Sequence, residues 1–161
     1  MTSILLLTSL LLWPAGLTFK ELYSVPEWVR RVVEHPDFAK RYELDAHLNP
    51  FCHRADFDGD GKVDFVVFIR ERSSGKIGVA FVHRAGPRFH VVGAGKAGVH
   101  GDDYSWVDAW AVFDKGAVSQ GAEEKPPPRL KGDALLLFKT EAASALLWWN
   151  GSGYRWYQQG D

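Results

Sequence analysis

Apolar residues recur at helical spacing only near the start of the chain. Trp28, Val29, Val32 and Val33 fall on one face, with Arg30, Arg31 and Glu34 off it. Ser24-Val25-Pro26-Glu27 reads as a capping box with proline in the first turn. Pro36 predicts the end of that helix, and Asp37 predicts the cap of a second short one through Phe38 and Tyr42. From residue 51 the pattern changes to short apolar runs between turn residues, which predicts strands. Residues 51–55, 63–70, 77–83 and 88–92 make an antiparallel meander, turned by Ser73-Ser74-Gly75-Lys76 and Ala85-Gly86-Pro87. Residues 106–113 form another strand, and 119–133 a polar loop stiffened by Pro126-Pro127-Pro128. Residues 134–139, 144–149 and 154–158 close the chain as strands, the last two joined by the turn Asn150-Gly151-Ser152-Gly153. The expected fold class is therefore α+β: an N-terminal helical arm packed on mostly antiparallel β-sheet, a blade-like meander plus a C-terminal hairpin.

One polar stretch interrupts this pattern with a spacing of its own. In Asp56-Phe57-Asp58-Gly59-Asp60-Gly61-Lys62-Val63-Asp64, carboxylates fall at positions 1, 3, 5 and 9 and glycines at 4 and 6. Two like charges ~5 Å apart at an effective dielectric of ~20 repel by roughly 3 kcal/mol. Four of them in one tight loop call for a cation. Ca²⁺ takes six to eight oxygens from alternate side chains and a backbone carbonyl. The expected ligands are Asp56, Asp58, Asp60 and Asp64 with the carbonyl of Lys62. Gly59 and Gly61 permit the positive φ that wraps a chain around a small sphere. A solvated Asp-Gly turn before a strand is the plainer reading.

An EF-hand needs a bidentate Glu at position 12 and a following helix. Position 12 is Val67, inside a β-branched and aromatic run, so that reading fails. The pattern Asp-x-Asp-Gly-Asp-Gly-x-x-Asp running straight into a strand resembles the calcium loops of FG-GAP and VCBS repeats. The likeness covers roughly residues 49–69, and from Tyr42 onward the chain is similar to small uncharacterised exported bacterial proteins with a single such loop. The resemblance implies a calcium site and transfers no activity. A whole propeller needs four or more blades and is excluded by the single copy of the loop.

Composition adds an address and removes some partners. The 161 residues carry a net charge of −1, which argues against a nucleic-acid partner. Residues 4–17 form an apolar run too short to span a bilayer, which takes about 20 residues. It suits a secretory signal over residues 1–18, leaving one domain over 19–161, with no stable membrane span after removal. The expected location is thus the periplasm or the exterior, where modules work with ~10⁻⁴–10⁻³ M calcium affinity. The lone Cys52 cannot make an internal disulfide and reads as a small semi-buried residue.

Other patterns along the chain compete with plain structural roles. Gly93-Ala94-Gly95-Lys96-Ala97-Gly98 matches a dinucleotide fingerprint, but turn-like residues follow where a helix is required. His100-Gly101-Asp102-Asp103 places an imidazole beside two carboxylates and supports the alternative of a small hydrolase using His100, Asp102 and Asp103. His53, His83 and His90 lie on strand positions, where structural roles dominate. Trp148, Trp149, Tyr154, Trp156 and Tyr157 crowd the final hairpin. Neighbours along a strand face opposite ways, so one set serves the core and the other could meet a partner. The expectation is an exported, calcium-binding, non-catalytic interaction module that recognises an envelope protein or a glycan.

Overall fold

A computed structural model describes residues 25–86, 88–98, 100–122 and 125–160. The expected signal, residues 1–18, and Ser24 of the expected capping box lie outside the described residues. What is described is mostly antiparallel β-sheet with two short helices, α1 (Glu27–Val33) and α2 (Pro36–Ala39). Pro26 is the N-cap of α1 and, having no polar side chain, supplies no capping bond. Asp37 does not cap α2. His35 precedes it, and its Nδ1 accepts from the Asp37 amide at 3.3 Å. The second helix also ends earlier than its residues suggest, because Tyr42 is recruited into a strand. Strand β1 (Tyr42–Leu44) lies along the edge of β3 (Asp64–Glu71), with Tyr42 opposite Glu71 and Leu44 opposite Ile69. An unpaired edge offers backbone partners that a lone helical turn cannot match.

Strand β2 (Cys52–Ala55) pairs with the other half of the same edge, Cys52 opposite Val67 and Ala55 opposite Asp64. The first sheet then runs through β4 (Ile77–Val82) and β5 (Phe89–Gly93). The second is a meander of β6 (Ala109–Phe113), β7 (Ala134–Lys139), β8 (Ala143–Trp149) and β9 (Tyr154–Gly160) in chain order.

The period of two along each strand sorts its side chains into separate cores. On β3, Phe65, Val67 and Ile69 face Val29, Val32, Val33 and Phe38 of the helices. Val66 and Phe68 face the second sheet, where they meet Trp110, Leu135, Leu137 and Leu147. On β4, Ala80 and Val82 join the helix side, and Val79 and Phe81 the inter-sheet side. The far face of the second sheet, with Ala134, Leu146 and Tyr157, is covered by Val118 and Leu130 of the connection between β6 and β7. The expected polar loop is therefore also a cover. Gly121 donates its amide to the Tyr157 hydroxyl at 3.0 Å. The layers are helix, sheet, sheet and covering loop, and the acidic loop lies between β2 and β3 where the two sheets meet. Among the described residues no helix is long and apolar enough to cross a membrane.

Candidate metal centre

The acidic loop is built around its own carboxylates. Asp56, at its head, accepts the amides of Gly59 at 2.8 Å and Asp60 at 3.0 Å on Oδ1, and that of Gly61 at 2.9 Å on Oδ2. Asp58 Oδ1 accepts from the Asp60 amide at 3.1 Å, and Asp60 Oδ1 from the Lys62 amide at 2.8 Å. These bonds need the chain to coil, and φ of +79° at Gly59 and +83° at Gly61 lets it do so. Phe57 points the other way, fully buried, and meets the Phe81 ring edge-on at 5.2 Å. One aromatic anchor thus ties the polar loop to the inter-sheet core.

Ligand atoms of Asp56, Asp58 and Asp60 lie within 4.8 Å of one another. Asp64 does not join that trio. It forms a second group with Asp58 and His83 on the same criterion, so Asp58 is common to both. The reason is burial. Asp64 is fully inside, and its Oδ2 accepts from the amides of Phe57 at 3.0 Å and Asp58 at 3.3 Å, its Oδ1 from Arg84 at 2.7 Å. Burial outweighs these bonds and pushes its carboxyl up to about 6, with the Asp58 charge adding to the rise. Burial likewise raises Asp58, helped by the charges of Asp60 and Asp56. Lys62 stands at the exposed mouth, Nζ 3.6 Å from Asp60 Oδ2.

This donor set suits a hard divalent cation. Each carboxylate has about four lone-pair directions, so Asp58 and Asp60 keep acceptor capacity beyond their amide bonds. All three ligand groups of the outer trio are oxygen donors, which favours Ca²⁺ or Mg²⁺ over softer metals. A bound cation would also offset the carboxylate repulsion that adds to the burial-driven rise of Asp58 and Asp64.

Two neighbours were not legible as part of the site. His83 is buried, with Nδ1 3.3 Å from Asp58 Oδ2 and Nε2 2.8 Å from the Tyr154 hydroxyl. Burial lowers its pKa against the pull of Asp58 and Asp60. Asp133 reaches in from the head of β7: its Oδ2 accepts from the Asp56 amide at 3.0 Å, its Oδ1 from the Lys115 amide at 2.8 Å. Its own amide donates to the Asp56 carbonyl at 2.7 Å. The one available signal was that Asp133 heads an apolar strand run just as Asp64 does.

The segment following the glycines is a turn, not the mouth of a helix. Asp102 pairs with Lys76. Asp103 accepts the amides of Ile77 at 2.9 Å and Ser105 at 3.1 Å, together with the Ser105 hydroxyl at 3.0 Å. His100 stacks on the Trp156 indole, centroids 4.3 Å apart and planes 20° from parallel. The aromatic hairpin, in turn, is mostly committed to packing. Tyr154 stacks on Phe81 at 3.7 Å, Trp149 lies 4.9 Å from His83 and 4.7 Å from His90, and Trp148 packs with Tyr157 on the far face. Among the described residues Val63 is the exposed large hydrophobic, 58% accessible.

No family model, curated protein or solved structure matches the chain. The resemblance to FG-GAP and VCBS loops therefore stands on the loop residues themselves.

Proposed function

We propose that this protein is an exported, non-catalytic interaction module whose acidic loop binds one structural Ca²⁺. The observation that carries the reading is the trio of Asp56, Asp58 and Asp60 in a loop fastened to both sheets. Its support is physical: three carboxylates within 4.8 Å repel unless a cation intervenes. The Asp56 carbonyl and amide are joined to Asp133 of the second sheet, so an ion bound here would hold the two sheets in register. Asp64 takes the inner position, reached through Asp58, and the Lys62 carbonyl closes the outer one.

The non-catalytic half of the reading rests on what surrounds His100, Asp102 and Asp103. Both carboxylates serve an ion pair and a turn, so the hydrolase alternative lacks a committed acid–base pair. The partner is an envelope protein or a glycan, met outside the cytoplasm after removal of residues 1–18.

Thermal melting of the mature chain with Ca²⁺ and with chelator is the test. Binding to the native state alone stabilises by ~2.7 kcal/mol at a hundredfold excess over Kd, a rise on the order of 10 °C for a domain of this size. Asp60→Ala removes the most accessible ligand of the trio and abolishes that rise. A parent protein that melts identically in both conditions sinks the proposal, as does an Asp60→Ala variant that keeps the full shift.

A further inference from the structure

On the other side of β5 from the helices, a cleft of about 420 Å³ opens between β5, the turn that follows it and β9. Ligand sites of small molecules span roughly 300–1,000 Å³. We infer that this cleft binds a small anion carried on a ring, a carboxylate or phosphate held by Lys96 and Arg155 with the ring taking the place of the exposed His100 imidazole on Trp156.

The charge of the lining supports this. Lys96 and Arg155 line the cleft and no Asp or Glu does, in a chain that has 20 acidic residues and 19 basic ones. Several other bases face a carboxylate: Arg41 meets Glu71, Arg70 Asp45, Arg72 Glu43, Lys76 Asp102 and Lys139 Asp108. Among the described residues Lys96 and Arg155 have no such carboxylate, and the Arg155 guanidinium reaches only the Tyr154 carbonyl, at 3.3 Å. Guanidinium is suited to forked bonds with carboxylate and phosphate, and an ammonium beside it adds a point charge.

The wall behind them accepts flat groups. The half-buried Trp156 indole already carries an imidazole face to face, with the Trp106 ring edge-on behind it at 6.1 Å. Tyr154, whose ring is stacked on Phe81, forms a rigid floor. A sugar ring or a small aromatic acid presents the same apolar face as that imidazole. The neutral part of such a ligand gains contact there, and its anion selects the cationic rim.

The assignment rests on the reading of the protein as a binding module and not on the metal loop. Ligand-observed NMR titration of the mature chain tests it, in Ca²⁺ and again in chelator, with glucuronate, glucose 6-phosphate, inorganic phosphate and glucose. The two ring-bearing anions bind saturably, and whichever is tighter tells carboxylate from phosphate; glucose and inorganic phosphate bind at least tenfold more weakly. Lys96→Ala and Arg155→Ala each lower affinity about tenfold, the loss of one charge-assisted bond. Both side chains are exposed, so melting temperature serves as the control for folding and stays at the parent value. Glucose equalling glucuronate, phosphate equalling glucose 6-phosphate, a double variant that binds like the parent, or no saturation on the order of 10 mM overturns the inference. Binding that persists in chelator separates the cleft from the fate of the calcium reading. Slow conversion of a bound saccharide, lost with Lys96→Ala, would keep the cleft and overturn the non-catalytic reading.

Discussion

At the scale of single residues, the two loop glycines are alike in φ and unlike in surroundings. A Cβ on Gly61 would meet nothing within 4 Å, whereas one on Gly59 would lie 2.7 Å from the carbonyl carbon and oxygen of Lys131. Gly61→Ala should therefore cost only the left-handed penalty, on the order of 1 kcal/mol. Gly59→Ala adds a backbone clash that must push two segments apart, for a total of roughly 3 kcal/mol. Urea unfolding of the two variants measures the difference, and equal losses would mean that the loop does not sit against Lys131. Asp108 provides a pH-dependent contact far from that loop. The Thr140 amide and hydroxyl, at 2.8 Å each, and Lys139 hold its carboxyl down to about 2. A depressed carboxyl stabilises the fold above its unfolded value, near 3.9, and loses that contribution as pH falls through 2. The melting temperature of the parent should exceed that of Asp108→Asn at pH 6, and the gap should close between pH 4 and pH 2. A gap that stays constant would place the Asp108 effect outside its ionisation.

Among the elements, β3 organises the rest. It is the one strand paired along both edges to three others, and seven of its eight residues are buried. Its head, Asp64, clamps the start of the acidic loop, and the loop is met from the opposite sheet by Asp133 at the head of β7. Two strand heads thus share one polar junction. Asp133→Ala leaves the half-buried amide of Asp56 and the exposed amide of Lys115 without their acceptor, which costs about 1 kcal/mol because water can replace it in part. On the proposed function, the same substitution weakens Ca²⁺ binding, because Asp56 loses the contact that positions it. Calorimetric titration alongside urea unfolding reads both effects. Unchanged affinity would show that the junction serves stability only.

For the molecule as a whole, the inter-sheet core decides cooperativity. Phe68 lies 4.5 Å from Trp110, Phe81 stacks on Tyr154, and Phe57 of the loop completes the layer. The inner face of each sheet is buried against the other, so unfolding one exposes the apolar face of both. Far-ultraviolet circular dichroism and tryptophan fluorescence should give coincident urea transitions. Two resolved transitions would contradict a shared core. Phe57→Ala should lower the single midpoint by an amount corresponding to about 3–5 kcal/mol.

Local pattern and tertiary arrangement divided the determination of this protein along a physical line. Strand positions were legible because burial on a pleated sheet imposes a period of two on neighbouring residues, and β7 runs from 134 to 139 as its apolar run does. The acidic loop was legible because its spacing is local: Asp56 reaches amides only three to five residues away. What no local pattern carries is pairing over long separations. Tyr42 reads as the end of a helix until the edge of β3, some 30 residues on, offers it a ladder. Asp133 reads as a loop residue until it meets Asp56, 77 positions earlier. His83 looks like a plain strand residue, and burial at the junction of two sheets brings it together with Asp58 and Asp64 in one group. The aromatic hairpin was expected to divide its rings between core and surface, and which rings went to the core was decided by the sheet stacked against it, because apolar area is driven out of water wherever a complementary face exists. The cleft with Lys96 and Arg155 is likewise an outcome of stacking, since its walls are strands more than 50 residues apart that only the second sheet brings together.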